Sequence, residues 1–306
     1  MALGSREEVR FGERLTRAGQ FLRSLSTSGP GIFWVSLFLL APLLAVAVIA
    51  FLTRGPYGDF GGPFTLQNYR RLAGFGVLGF EPLYPLIIAR SLVLAAGTTA
   101  ACVIAAFPLA FFIAALSPRF KNVALTLVIV PFWTNLLIRT YAWQILFGAE
   151  GPLARLAAAL RLIPDGSALY PGTFAVTVGM LCAYVPFLVL PLYTAVEKLD
   201  WSIAEAAMDL GADGPRVFRH AILPQVMPGL VAGIILVFIP ATGQFVIPDL
   251  LGGAKTALLG NAIQQQFGPS RDWPFGSALA FVGMAVVMGG LWLYARVAGE
   301  RGQELL

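Results

Sequence analysis

The chain has 306 residues, 58% hydrophobic and 12% charged, with mean hydropathy +0.77 and formal net charge +5. Soluble domains carry about 25% charged residues, so half that density excludes an ordinary soluble protein and points to an all-α integral membrane one. The positive surplus has no basic face with interleaved aromatics that would serve nucleic acid, and the Lys/Arg bias of cytoplasmic loops accounts for it.

Residues 1–30 set Arg6, Arg10, Arg14, Arg17 and Arg23 among Glu7, Glu8 and Glu13, with Val9, Phe11, Leu15, Phe21, Leu22 and Leu25 between them. The pattern fits a weakly amphipathic helix on the cytoplasmic membrane surface or, equally, a partly ordered basic anchor. No cleavable leader is expected, because the first apolar run is long enough to span a bilayer and stay there.

The remainder, 31–306, is read as one membrane domain with six spans: 32–52, 89–116, 122–147, 173–196, 226–249 and 275–297, each near the ~20 residues that a crossing helix needs. An even number returns both termini to one side. With that side cytoplasmic, Arg119, Lys121, Lys198, Arg216, Arg219, Arg296 and Arg301 join the five N-terminal arginines, twelve of the 21 Lys and Arg. The outer connection 53–88 is too short and Gly-rich to be a domain, and PLARLAAALRL at 152–162 reads as an amphipathic helix on the outer interface. Pro108, Pro131, Pro186, Pro191 and Pro240 lie within or at the ends of spans, where broken helices are tolerated if they line a cavity or pack on partners. Gly229 and Gly233 form a small-xxx-small pair that permits close helix approach. Cys102 and Cys182 sit singly in apolar runs and form no metal-type cluster.

Between the fourth and fifth spans lies the longest polar run flanked by apolar segments, within 199–224. Ser202 with Glu205 three positions on has the form of a capping box. Gly211 suits a left-handed helix end, Asp213-Gly214-Pro215 starts a second short helix, and Pro224 marks a kink into the next span. A capped helix–turn–helix this polar at the membrane surface is built to be gripped by a soluble partner.

Glu205-Ala206-Ala207, then Gly211 after three residues, then Ala221-Ile222-Leu223-Pro224 after nine more, resembles the EAA loop of ABC-type import permeases; Ala221 stands where that family has Ile or Val. PFWTNLLIRTYAW at 131–143, the run 238–267 and RDWPFGSALA at 271–280 are similar to the spermidine/putrescine branch. The resemblance implies a type I importer permease fold in a bacterial inner membrane. It also implies a cytoplasmic coupling helix and import of a polyamine by alternating access. The partners it implies are two ATPase subunits that bind ATP and Mg, a second related permease, and a periplasmic substrate-binding protein. In that frame Glu205 caps the helix and reaches toward the ATPase, and Ala206 and Ala207 allow close approach. Gly211 turns the chain, Arg216 and Arg219 meet acidic groups or stay solvated, and Leu223 and Pro224 seat the joint. The lone His220 has no second metal ligand, and Gly253-Ala254-Lys255-Thr256 lacks the glycine of a phosphate loop. The chain is therefore expected to bind no cofactor or metal and not to be an enzyme.

A polyamine needs carboxylates, aromatic faces and amide acceptors. The candidates are Asp249, Glu150, Glu81 and Asp272, with Trp133, Tyr141, Trp143, Tyr184, Phe245 and Trp273, Gln244 and the run Gln264 to Gln266. The foremost are Asp249, Trp133, Tyr141, Tyr184, Phe245 and Gln244. Aromatics and acids at span ends also serve as interfacial belts and caps, so both readings stand. Arg139 is expected to be structural, paired with Asp249 or Glu150. Related permeases carry other small solutes, aminophosphonates and organic cations among them. An ion-coupled secondary transporter would need acids near span centres, and these spans have none.

Overall fold

The computed structural model describes residues 28–303 apart from 57, 77–78 and 254–256, so the amphipathic or anchoring segment 1–30 lies almost wholly outside the described residues. A first helix, α1 (Ser28–Ile49), is followed by two short antiparallel ladders, β1 (Thr53–Arg54) with β2 (Phe60–Gly61) and β3 (Phe75–Gly76) with β4 (Gly79–Phe80), around α2 (Gln67–Leu72). Then come α3 (Leu83–Ala115), α4 (Pro118–Trp133), α5 (Leu136–Phe147), α6 (Pro152–Ala159) and α7 (Thr173–Glu197). The short helices α8 (Trp201–Asp209) and α9 (Gly214–Val217) lead through a π turn, Phe218–Ile222, into α10 (Leu223–Gly243). The chain ends with α11 (Val246–Gly252), α12 (Leu259–Phe267) and α13 (Trp273–Gln303).

Five of these helices are long and apolar enough to cross a bilayer, and six when α4 and the segment beyond it count as one broken span. The break corrects the expected continuous helix 122–147: Pro118–Trp133 and Leu136–Ala159 meet at 94°. Thr134 and Asn135 are extended, and the Asn135 carboxamide restarts the helix by accepting the Leu137 N–H. The fifth span also differs from the expected 226–249. It runs without interruption from Gly214 to Gly243 and stops because Gln244 turns extended, its Oε1 taking the N–H groups of Phe245 and Val246. The second span begins earlier than expected, at Leu83, and its 33 residues reach about 50 Å at 1.5 Å per residue, beyond the ~30 Å hydrocarbon core.

The core is the three-helix contact of α3, α7 and α10, filled by Cys102, Ala106, Met180, Leu188, Leu192 and Val237, all fully buried. The small-xxx-small pair sets its spacing. A Cβ on Gly229 would lie 2.5 Å from both the Pro191 carbonyl oxygen and the Ala195 Cβ, and one on Gly233 3.0 Å from the Leu188 side chain. By contrast α1 has none of its span buried and α4 buries no residue fully.

At the end of the bundle where α3 and α13 begin, the ladders and α2 form a small lid. Arg71 of α2 reaches Asp272 at 2.8 Å and lies 4.1 Å from the Phe275 ring centroid, while Asn68 bonds the carbonyls of Ala50 and Leu52. The opposite end carries α8, α9 and the π turn and is termed the elbow end below.

Replacing Gly229 with Leu sets a side chain against backbone that cannot yield, a cost of about 1–3 kcal/mol. The expected outcome is a lowered thermal midpoint of the detergent-solubilised protein. Gly97→Ala, at a position with open space around it, is expected to leave that midpoint unchanged or raised.

Candidate functional site

The elbow is two short helices packed on a minimal apolar seam. Ala204, Val217 and Ala221 are buried together, with Ala207, Ala212 and Ile222 around them. A small residue at 221 is what lets α8 approach, which explains Ala221 where a larger aliphatic residue was anticipated. Gly211 has φ +86 with nothing near its Cβ position, so the glycine is required by backbone conformation and not by crowding. Around it the N–H of Gly211 bonds Met208 O at 2.9 Å and that of Ala212 bonds Ala207 O at 3.0 Å. This is the paired closure that ends a helix on a left-handed residue, with its Ala207–Ala212 apolar contact beside it.

The start of α8 corrects the capping box. Asp200 is the cap, its Oδ1 accepting from the Ser202 N–H at 3.0 Å and from the Ser202 hydroxyl at 2.7 Å. The cap, and with it the helix start, lies two residues earlier than anticipated, so Ser202 donates to a cap instead of acting as one. These bonds, the hydroxyl's foremost, hold the Asp200 carboxyl below the usual carboxylate range. Gln225, which the motif reading missed, ties the two ends of the elbow together. Its Oε1 accepts the Asp200 N–H at 3.0 Å and its Nε2 donates to Ala221 O at 2.9 Å. A polar side chain directly after Pro224 in an apolar run was the available signal; its partner 25 residues away was not visible.

The other elbow residues fall as follows. Asp213 caps α9 through the Arg216 N–H, and the Arg216 guanidinium lies 3.6 Å from the same carboxylate while staying exposed. Arg219 is exposed, and His220 Nδ1 lies 3.0 Å from Arg216 O. Leu223 packs on the core, and Pro224 in the first turn of α10 follows the π turn that absorbs its missing N–H. Glu205 and Ala206 face outward with Trp201, Ile203, Met208 and Leu210, the last 90% exposed. Apolar side chains left exposed around so small and charged an element suit cover by a protein partner.

The second cluster sits at the two span breaks. Gln244 Nε2 donates to the Tyr184 hydroxyl at 3.0 Å, and Asn261 Nδ2 to Phe245 O at 3.1 Å. Tyr184 stands beside Phe187 (6.2 Å between centroids), whose ring meets Phe132 edge-on at 4.9 Å. Tyr184, Gln244 and Phe245 are thus brought together, and Phe132 and Phe187, not singled out from sequence, connect them to the α4 break. There Trp133 is 80% and Tyr141 50% exposed. Asp249 sits exposed on α11, beside α5, where Gln144 donates to Leu250 O at 2.6 Å.

Two anticipated roles change, those of Arg139 and Asp272. Arg139 pairs with neither Asp249 nor Glu150 among the described residues. Its Nη1 bonds Pro131 O at 3.0 Å, a carbonyl that also accepts from the Thr134 hydroxyl at 2.6 Å. The bend takes from that carbonyl its usual partner four residues on, and Thr134 together with a cation eight residues on supplies replacements. Asp272 is buried, paired with Arg71 and capping Phe275 N, so it holds the lid and does not face a pathway. Trp273 packs between Phe60 and Phe267. Among the described residues no metal-type group of His, Cys, Asp and Glu occurs; residues 254–256 of the glycine–lysine segment lie outside them.

The family described as "Binding-protein-dependent transport system inner membrane component" matches residues 106–299. The chain is 40% identical to the spermidine/putrescine transport system permease protein PotB of Haemophilus influenzae, over 83% of this chain and 86% of that protein. It is 41% identical to the protein of that name from Escherichia coli K12, over 84% and 90%. Of solved structures, a chain from a bacterial ABC transporter involved in the import of the acidic polysaccharide alginate superposes with TM-score 0.65. Its identity is 15%, covering 95% of this chain and 99% of that one, a likeness of fold.

Substitutions at position 211 separate backbone from contact. Gly211→Val, which the left-handed conformation strains by about 1–2 kcal/mol, is expected to loosen the elbow. Faster amide exchange at 211–212 would show it, whereas Gly211→Asn is expected to leave exchange there unchanged.

Proposed function

The chain belongs to the family of binding-protein-dependent transport system inner membrane components, and on that premise we propose that it imports a polyamine of the spermidine/putrescine type as one permease of an ATP-driven complex. The observation that carries the mechanism is the elbow. It is a capped helix pair with exposed apolar side chains, closed at Gly211 and clasped by Gln225. In this reading the elbow end is cytoplasmic, as are both termini, and α8 seats in one of two ATPase subunits. These bind the ATP and Mg that this chain does not. The relatives named for spermidine/putrescine transport support the cargo.

The remaining partners follow from faces left open. Ile138, Tyr141 and Ile145 form an exposed stripe along α5 at spacings of three and four residues, the pattern of a face that meets another helix. A second permease across it would complete a pathway between the two broken spans, supplied by a periplasmic binding protein. Tyr184, its hydroxyl held by Gln244, and Phe245 offer a hydroxyl oxygen and a ring face to passing ammonium groups, with Trp133, Tyr141 and Asp249 toward its rim. Arg139, its charge engaged by Pro131 O, opposes a cationic cargo less than a free guanidinium would.

Reconstitution of the complete assembly in vesicles is expected to give spermidine uptake that requires ATP and the binding protein. Uptake by this chain alone would contradict the proposal. Tyr184→Phe removes one hydrogen bond worth about 1 kcal/mol and is expected to lower uptake by roughly five-fold. Asp249→Asn and Trp133→Ala together leaving transport affinity and cargo choice untouched would remove both from the pathway.

A further inference from the structure

The first half of the broken span is held unusually lightly. No residue of α4 is fully buried, so packing alone resists its sliding against α7 only weakly. Beside the partly buried Ala124, Leu125 and Val128, which pack on the core, two side-chain contacts fasten its ends to that neighbour. At the elbow end Lys121 Nζ lies 2.9 and 3.0 Å from the two Glu197 carboxylate oxygens, the lysine side chain 19% and the glutamate 42% exposed. At the far end the Phe132 ring meets Phe187. The two contacts stand near opposite ends of a helix of 16 residues, about 24 Å long at 1.5 Å per residue.

What Glu197 is attached to gives the pair its significance. It is the last residue of α7, and Asp200, three positions on, caps α8. Trp201, the first residue of α8, walls the same cavity of ≈ 400 Å³ as Lys121, Glu197 and Phe111. A displacement of the elbow therefore reaches Glu197 through three residues and reaches α4 through Lys121. From there α4 leads to the Pro131–Arg139 bond, the 94° break and the Phe132–Phe187–Tyr184 file.

We propose that the Lys121–Glu197 ion pair is the positioning contact by which elbow motion tilts α4 and so opens or closes the break beside the cargo path. This rests on the importer reading above. Neither residue touches cargo or nucleotide; each acts by holding one helix to another. A charge pair suits the task because it keeps its partners together while their helices rotate, which interlocked side chains would not.

The test uses the complete transporter in vesicles and counts ATP hydrolysed per spermidine imported. Lys121→Glu and Glu197→Lys singly are each expected to raise that ratio about five-fold, within the range of measured coupling energies. The double exchange is expected to restore it to within about two-fold of the unaltered assembly. Should the single reversals fail to assemble, the neutral variants Lys121→Gln and Glu197→Gln carry the same expectation for the ratio. A pair that only adds stability would lower the thermal midpoint and leave the ratio unchanged. That result, or failure of the exchange to restore coupling, overturns the proposal while uptake by the unaltered assembly leaves the importer reading intact. An unaltered assembly that imports nothing overturns both.

Discussion

The clasp between Gln225 and Asp200 is the contact on which the architecture turns. One carboxamide accepts the N–H that opens the elbow and donates to the carbonyl that ends it, so the descending α7 and the ascending α10 are joined at their bases. Above this joint the same two helices approach through Gly229 and Gly233. Base and shaft are thus one body, and a force on α8 is delivered to the centre of the bundle and not dissipated in a loop. The helix ends within the elbow are satisfied internally, by Asp200, by Asp213 and by the closure at Gly211, which is what makes so short a pair of helices stiff.

A different demand governs the two span breaks. A carbonyl or amide released by a bent helix finds no water in hydrocarbon, so each break has a side chain to receive it. At the first, Thr134, Asn135 and Arg139 serve the backbone on either side of the bend. At the second, Gln244 caps its own successors while holding the Tyr184 hydroxyl. Aromatic rings join the two breaks. Polar groups accumulate where helices are interrupted, and in a chain whose spans carry few charges those interruptions are the natural place for a polar cargo to be handled.

Much of this was legible in sequence. Gly211, the spacing from Glu205 to Pro224, the helix opening at Pro152, though it ends at Ala159 and not at 162, and the small-xxx-small pair all depend on residues close along the chain, where propensity and period act directly. The illegible parts are those decided by distant or competing partners. Arg71 and Asp272 are 201 residues apart, so neither could be separated from an ordinary surface charge, and Asp272 passed for a cargo ligand. A buried cation calls for a carboxylate, yet for Arg139 the bend supplied a backbone carbonyl nearer at hand. Apolar runs show where a span exists but not where it breaks. Pro131 and Gly243 lie in stretches whose hydropathy continues past them. The capping box failed for a smaller reason: Asp200 and Ser202 both qualify as caps, and the acid took the position.

The central claim is that the elbow lies on the cytoplasmic side and is covered there by an ATP-hydrolysing subunit. A single cysteine at position 210, with Cys102 and Cys182 replaced, reports on both points when challenged with a membrane-impermeant maleimide. The account predicts labelling in inside-out vesicles of this chain, none in right-side-out vesicles, and loss of labelling once the ATPase subunits are bound. Labelling from the outer side, or labelling that the bound ATPase leaves undiminished, would contradict it.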